Sequence, residues 1–156
     1  RTHTIVDSPV GPLTLVDDDG ALAGLDMADQ RHLPDPASFG LRDDAVQPAL
    51  REQLTSYFAG GLREFDVLVA VAGTPFQQAV WTALREVPYG TTCTYGDLAA
   101  AIGRPTAVRA VGAANGRNPV CIVVPCHRVV GSGGSLTGYA GGVERKQHLL
   151  ALEQRG

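Results

Sequence analysis

Apolar positions in the first thirty residues fall in short runs separated by turn residues. Thr4–Val6, Leu13–Val16 and Ala21–Met27 are interrupted by Ser8-Pro9-Val10-Gly11-Pro12 and by Asp19-Gly20. This pattern predicts a hairpin or a three-stranded meander. Gln30 to Phe39, with Pro34 and Pro36, reads as a loop. Ala45 to Phe58 places Val46, Leu50, Leu54 and Phe58 four residues apart, which predicts a core-facing helix. Phe65 to Val71 reads as a further strand, and a boundary is expected near Gly73. Beyond it the period becomes helical. Thr74-Pro75 is an N-cap and first-turn pair, and Phe76, Val80, Trp81 and Leu84 give one apolar face, so a helix is expected over 75–86. Thr94 can cap a helix from Tyr95 to Ile102 closed by Gly103, and Pro105-Thr106 opens another from Ala107 to Asn115. Two short helices joined by Gly103-Arg104-Pro105 have helix-turn-helix spacing. Pro119 to Val124 reads as a buried extended run, Gly131 to Gly134 as a mobile loop, and Val143 to Glu153 as a last helix.

Composition narrows the class of protein. Of 156 residues, 44% are apolar and 19% charged, the balance of an ordinary globular chain rather than a disordered one. No apolar run approaches the roughly 18 residues of a spanning helix, and no charged-then-apolar leader opens the sequence, so a cytoplasmic protein that does not enter membranes is expected. Three cysteines without framework spacing fit reduced thiols. The net charge of −3 argues mildly against nucleic acid, but it is unevenly spread. Residues 1–73 hold five basic and twelve acidic side chains, whereas residues 74–156 hold eight basic and four acidic ones. The second half alone carries a positive field suited to phosphate.

The densest chemistry is Pro125-Cys126-His127-Arg128, at the end of the apolar run. A thiol beside an imidazole has a route to thiolate, its nucleophilic form. Taken alone, such a pair more often means a buried small side chain next to a satisfied histidine. Glu153 alone would read as a solvated helix charge, Asn118 as a loop residue satisfying nearby backbone, and the Ala/Gly-rich stretch after Arg109 as tight packing.

The surrounding residues change that weighting. Asn118-Pro119-Val120-Cys121-Ile122-Val123-Val124-Pro125-Cys126-His127-Arg128-Val129-Val130 resembles the active-site signature of the O6-alkylguanine-DNA alkyltransferases, the methylated-DNA-protein-cysteine methyltransferase family. Thr137-Gly138-Tyr139-Ala140-Gly141-Gly142 resembles that family's substrate-pocket loop. Thr74 to Gln78, Trp81, Pro88-Tyr89-Gly90, Thr94-Tyr95 and Arg109-Ala110-Val111-Gly112 also match. The likeness is close over residues 74–153 and looser before.

The resemblance implies an α/β fold, with a small N-terminal α/β domain (1–73) packed on a mostly helical C-terminal domain (74–156) that carries a helix-turn-helix. It implies repair of DNA by direct, stoichiometric transfer of the alkyl group from O6-alkylguanine to Cys126, with O4-alkylthymine as a second candidate lesion. His127 would be the general base acting through a water, Glu153 would hold the other ring nitrogen, and Asn118 would brace the turn. Tyr95 and Lys146 would help protonate the leaving guanine. Tyr139 would stack on the extruded base while the backbone of Cys126, Val129 and Ala140 reads its edge. Where the family often has Ser, Ala140 keeps a backbone contact and loses any hydroxyl contact. The second helix of the pair would enter the minor groove with Arg109 filling the gap left by the flipped nucleotide and Tyr95 crowding the target phosphate. Gln77, Gly96, Arg104 and Ser132 would contact phosphates.

The implied partner is double-stranded DNA with an alkylated base, met by a monomer that needs no cofactor and no metal. Three other readings compete. A lesion sensor of the same fold would lack the cysteine, and a cysteine hydrolase would not need Arg109 on a small-residue helix. A zinc site from Cys121, Cys126, His127 and Cys93 has no two-residue cysteine spacing, and strand alternation would point Cys121 and Cys126 to opposite faces.

Overall fold

The computed structural model describes residues 1–136 and 138–155; Thr137, from the expected substrate-pocket loop, and Gly156 lie outside the described residues. The first half is the expected meander. Strands β1 (Thr2–Val6), β2 (Leu13–Asp18) and β3 (Ala21–Met27) pair antiparallel. The two-residue turn between β2 and β3 puts Asp19 (φ 51°) and Gly20 (φ 88°) in the left-handed region, as a type I′ hairpin requires. A two-residue strand β4 (Leu41–Arg42) lies parallel to β1, giving the order β3-β2-β1-β4.

Helix α1 (Pro48–Phe58) buries Leu50, Leu54 and Tyr57. It starts three residues later than the apolar spacing implied. Gln47 is left-handed (φ 51°) immediately before Pro48, which breaks the helix there, and the proline ring fits the first helical position. The inward stripe accordingly runs Leu50, Leu54, Tyr57 rather than ending on Phe58. The expected strand over Phe65–Val71 is corrected to an extended segment with one bridge, Leu22 to Val69. Two chain segments divide the free edge of β3. Leu22 exchanges hydrogen bonds with Leu68 and Ala70, while the amide of Leu25 donates to Pro119, so neither neighbour builds a ladder.

In the second half, α2 (Pro75–Leu84) opens with a capping box between Thr74 and Gln77, and α3 (Tyr95–Ala101) with one between Thr94 and Asp97. Helix α4 (Val108–Gly116) follows a turn whose Gly103 has φ 74°. Helices α2 and α3 end two and one residues earlier than expected, where the last turn loosens around Arg85 and Ile102. The indole Nε1 of Trp81 donates to the carbonyl of Ala114 (2.9 Å), tying α2 to α4. Short strands β5 (Cys93–Thr94) and β6 (Val129–Val130) pair in parallel, and α5 (Val143–Arg155) closes the chain. One apolar core joins both halves, from Leu13, Leu25 and Leu50 to Trp81, Val111 and Leu149.

The expected extended run over Pro119–Val124 is a tight turn. Cys121 bridges Val124, and Ile122 is left-handed at φ 73°. A β-branched residue there is strained by on the order of 1–3 kcal/mol. The strain is tolerated because Ile122 is buried and Asn118 spans the turn, its amide donating to Val124 (2.8 Å) and its carbonyl oxygen accepting from Val120 (3.1 Å). The segment at Gly131–Gly134 is closed by a hydrogen bond from Gly131 to Ser135 (2.8 Å).

On β3, Asp26 is 3% exposed; Oδ1 accepts from Gln30, and Oδ2 has no partner among the described residues. Burial raises its pKa to about 6. Unfolding returns the carboxyl to its ordinary value near 3.8, so the folded chain binds the extra proton. That contribution is full below the unfolded pKa and is lost as pH rises through about 6. Asp26→Asn is therefore expected to stabilise the protein by about 1–2 kcal/mol at alkaline pH and to do little in acid. Thermal melts on either side of that range check this; an equal shift in both would dissociate the effect from ionisation.

Candidate active site

Helix α5 turns two charged side chains inward. Lys146 and Glu153 are seven residues apart, two helical turns, and share the buried face of Leu149 and Leu152. Glu153 is 2% exposed, and its carboxylate is fully engaged. Oε1 accepts from Nε of Arg128 (2.8 Å). Oε2 accepts from Nε2 of His127 (2.7 Å), the hydroxyl of Tyr57 (2.6 Å) and Nη2 of Arg128 (3.1 Å). Burial alone would raise the carboxyl pKa; the donors of His127, Arg128 and Tyr57 outweigh it and hold it near 2. Arg128 also donates to Val87 (2.7 Å) and lies over the ring of Tyr89.

His127 is fully buried, and burial holds its pKa below the ordinary value despite the carboxylate. The ring is thus neutral at pH 7. With Nε2–H committed to Glu153, Nδ1 is the acceptor, and it has no hydrogen-bond partner among the described residues. Cys126 begins a 3₁₀ turn (Cys126–Arg128) and is 4% exposed. Burial pushes its thiol pKa up; the Asn118 amide, the Lys146 charge and the Tyr139 hydroxyl only partly offset this. The resting pair is a thiol and a neutral base, because both are taken out of water.

Lys146, 0% exposed, donates from Nζ to the carbonyl of Val129, and Val129 is buried. Asn115, which the sequence did not single out, donates to the carbonyl of Cys126 (3.4 Å). Nearby, a cleft of about 290 Å³ is lined by Arg31, His32, Tyr95, Gly112, Ala113, Gly116, Gly138 and Ala140. Tyr95 stands between helix and loop, its ring facing Gly112 and its hydroxyl facing Gly138. Tyr139 is buried at 8% exposure, whereas its neighbours Gly138 and Ala140 line that cleft. Packing explains the difference: Gly141 sits against the Tyr139 ring and Met27, and Ala140 accepts a hydrogen bond from Arg31 (2.7 Å).

Arg104 and Arg109 are exposed, as are Gly96 and Ser132. Gln77 is half-buried, its Oε1 held by the amide of Thr74 in the capping box. Among the described residues no group of three or more His, Cys, Asp or Glu could hold a metal ion. Because residues 119–124 form a turn, strand alternation does not separate Cys121 from Cys126. Instead the Cys121 thiol is committed to the carbonyl of Leu25 (3.1 Å).

The site thus combines a buried thiol with a carboxylate-anchored imidazole, in the same half of the chain as a helix pair that exposes Arg109. The chain belongs to the 6-O-methylguanine DNA methyltransferase family. Residues 75–155 match its DNA-binding domain and residues 2–71 its ribonuclease-like domain. It is 53% identical over 153 residues to a methylated-DNA–protein-cysteine methyltransferase of Mycolicibacterium paratuberculosis, covering 98% of this chain and 92% of that one. A protein of the same name from Methanosarcina acetivorans is 49% identical over 152 residues, 97% of each chain. The crystal structure of Mycobacterium tuberculosis OGT in complex with DNA superposes with a TM-score of 0.93 at 47% identity, over 99% of this chain and 94% of that one.

Sequence reasoning missed Arg128, Tyr57 and the pair Arg31 and His32. Arg128 left a signal, a cation inside the apolar Cys-His stretch. Tyr57 left one in the Leu50, Leu54, Tyr57 stripe. Arg31 and His32 sit in an irregular loop and left none. Removing Arg128 would leave a buried carboxylate short of its main counter-charge, so Arg128→Ala is expected to destabilise the fold by about 3–5 kcal/mol, measured by urea unfolding. Because the Glu153 pKa is depressed from 4.5 to about 2, its stabilisation is full above the unfolded value and is lost as pH falls through about 2. Acid titration of the unaltered protein and of Glu153→Gln checks this; the variant should lose that part of the acid transition.

Proposed function

We propose that the protein repairs DNA by taking the alkyl group from O6-alkylguanine onto Sγ of Cys126, one group per molecule. The observation that carries this reading is the buried set Cys126, His127 and Glu153, with Nδ1 of His127 as its one open acceptor, in a chain of this family. The thiol proton passes through a water to Nδ1, and the resulting imidazolium is held by the ionised Glu153. The thiolate attacks the alkyl carbon, the carbon–oxygen bond breaks, and its electron pair leaves with guanine. Tyr95 and Lys146 supply the proton the departing base needs, and Lys146 also fixes the Val129 carbonyl at the pocket. A thioether has no carbonyl for water to attack, so the protein is consumed.

The division of labour follows the chain. Residues 74–156 bind DNA and accept the alkyl group, and residues 1–73 support them. Helix α4 enters the minor groove through its small-residue face, Arg109 fills the gap left by the flipped nucleotide, and Tyr95 crowds the target phosphate. Gln77, Gly96, Arg104 and Ser132 meet phosphates, the backbone of Cys126, Val129 and Ala140 reads the base, and Asn118 braces the turn. Tyr139, beside Gly138 and Ala140 of the cleft, comes against the base once it enters. The substrate is double-stranded DNA carrying an alkylated base, and the protein acts as a monomer in the cytoplasm. Three unpaired cysteines suit a reducing compartment, and among the described residues no helix is long and apolar enough to cross a membrane.

The test is a single-turnover assay with an oligonucleotide carrying radiolabelled O6-methylguanine. Label should reach at most one equivalent on the protein and vanish in Cys126→Ala with lesion binding retained. His127→Gln should slow transfer by about 10²- to 10³-fold. Lesion binding without transfer by the unaltered chain would give the sensor reading, and repeated turnover would give the hydrolase.

A further inference from the structure

Tyr57 belongs to α1, in the N-terminal half, yet its hydroxyl ends on the carboxylate of the C-terminal relay. It is 0% exposed, and its donor distance of 2.6 Å to Oε2 of Glu153 is the shortest that carboxylate has. The same oxygen accepts Nε2–H of His127 at 2.7 Å. Arg128 already fixes the carboxylate plane through two of its nitrogens, so a third anchor is not needed to orient it. What Tyr57 adds is a competing donor on the oxygen that serves the imidazole. A carboxylate oxygen that accepts more hydrogen bonds has a lower proton affinity, and its pull on each donor weakens.

We propose that Tyr57 is a positioning residue for alkyl transfer: acting through Glu153, it sets the basicity of His127, and so gives the N-terminal half a part in the chemistry. This rests on the relay reading of Cys126, His127 and Glu153. Among the described residues the charged and titratable groups around the imidazole and this hydroxyl are Glu153 and Lys146 from α5, Arg128 and Cys126 from the 3₁₀ turn, Tyr139 from the pocket loop, and Tyr89 beside Tyr57. Burial and Glu153 keep the Tyr57 hydroxyl protonated far above its ordinary range, so it acts only as a donor.

Tyr57→Phe removes the oxygen and keeps the ring, which packs against Phe58, Phe65 and Tyr89. With one donor fewer, Oε2 holds the imidazolium more strongly. The acid-side midpoint of the transfer rate against pH is then expected to rise by about half a unit, slowing transfer about threefold on that limb. The plateau rate and DNA affinity should change little. In a Glu153→Gln background the Tyr57→Phe shift should disappear. An unmoved midpoint with only a lower melting temperature would make Tyr57 a packing residue and overturn the proposal. If instead Glu153→Gln and His127→Gln leave transfer untouched, the relay reading itself fails. Should Tyr57→Phe not fold, proton NMR of the unaltered protein decides: a slowly exchanging, downfield Tyr57 hydroxyl proton is expected, and its absence overturns the proposal.

Discussion

A carboxylate with almost no access to water organises this protein. Leaving Glu153 ionised in the interior is unfavourable by several kcal/mol unless each oxygen is met by donors in good geometry. The donors come from two places remote in sequence: Arg128 and His127 from the 3₁₀ turn, and Tyr57 from α1, 96 residues before Glu153. Satisfying one charge therefore pins α1, the nucleophile's turn and α5 to each other. The arginine fork matters most, because it supplies both the compensating charge and the plane. The apolar core would hold these elements near one another without it, but would not fix the orientation of the His127 ring, which Glu153 anchors through Nε2.

The same burial governs reactivity. A nucleophile kept as thiolate in the resting protein would meet oxidants and electrophiles throughout the life of the molecule, and this one works once. Burial holds Cys126 as a thiol, and the neutral imidazole beside it is poised to accept a proton rather than already carrying one. Under the proposed mechanism, attack on an alkyl carbon would await arrival of the base, when the proton has both a donor and a destination. Lys146 contributes in the same sense. Its charge favours the thiolate, but its ammonium is tied to Val129, so it steadies the pocket without competing for Glu153.

Much of this was legible in the sequence, unevenly. The meander, the helix pair and α5 follow from periodicity and caps, which are local properties. The seven-residue spacing of Lys146 and Glu153 puts them on one face of α5, but only the structure shows that this face is buried. The errors came where tertiary partners overrule local preference. Phe65–Val71 has strand composition, but β3 offers it only Leu22, since Leu25 is taken by Pro119. Pro119–Val124 is apolar enough for a strand, yet Asn118 folds it into a turn with Ile122 left-handed.

The turn also explains how a DNA-binding element and a buried thiol can act as one unit. Thr94 caps α3 through its side chain, and its backbone pairs with Val130, three residues beyond His127. Tyr95 follows directly, facing Gly112 of α4 on one side and Gly138 of the pocket loop on the other. Displacing α3 or α4 therefore strains β5 and β6, and with them the carbonyl of Val129 that Lys146 holds. Ile122 keeps a strained backbone a few residues away, so the turn has little freedom to relax independently. On the proposed reading, a base delivered by the helix pair would be positioned by the same short parallel pairing that positions Cys126, so that both lie in one hydrogen-bonded unit rather than in two docked parts.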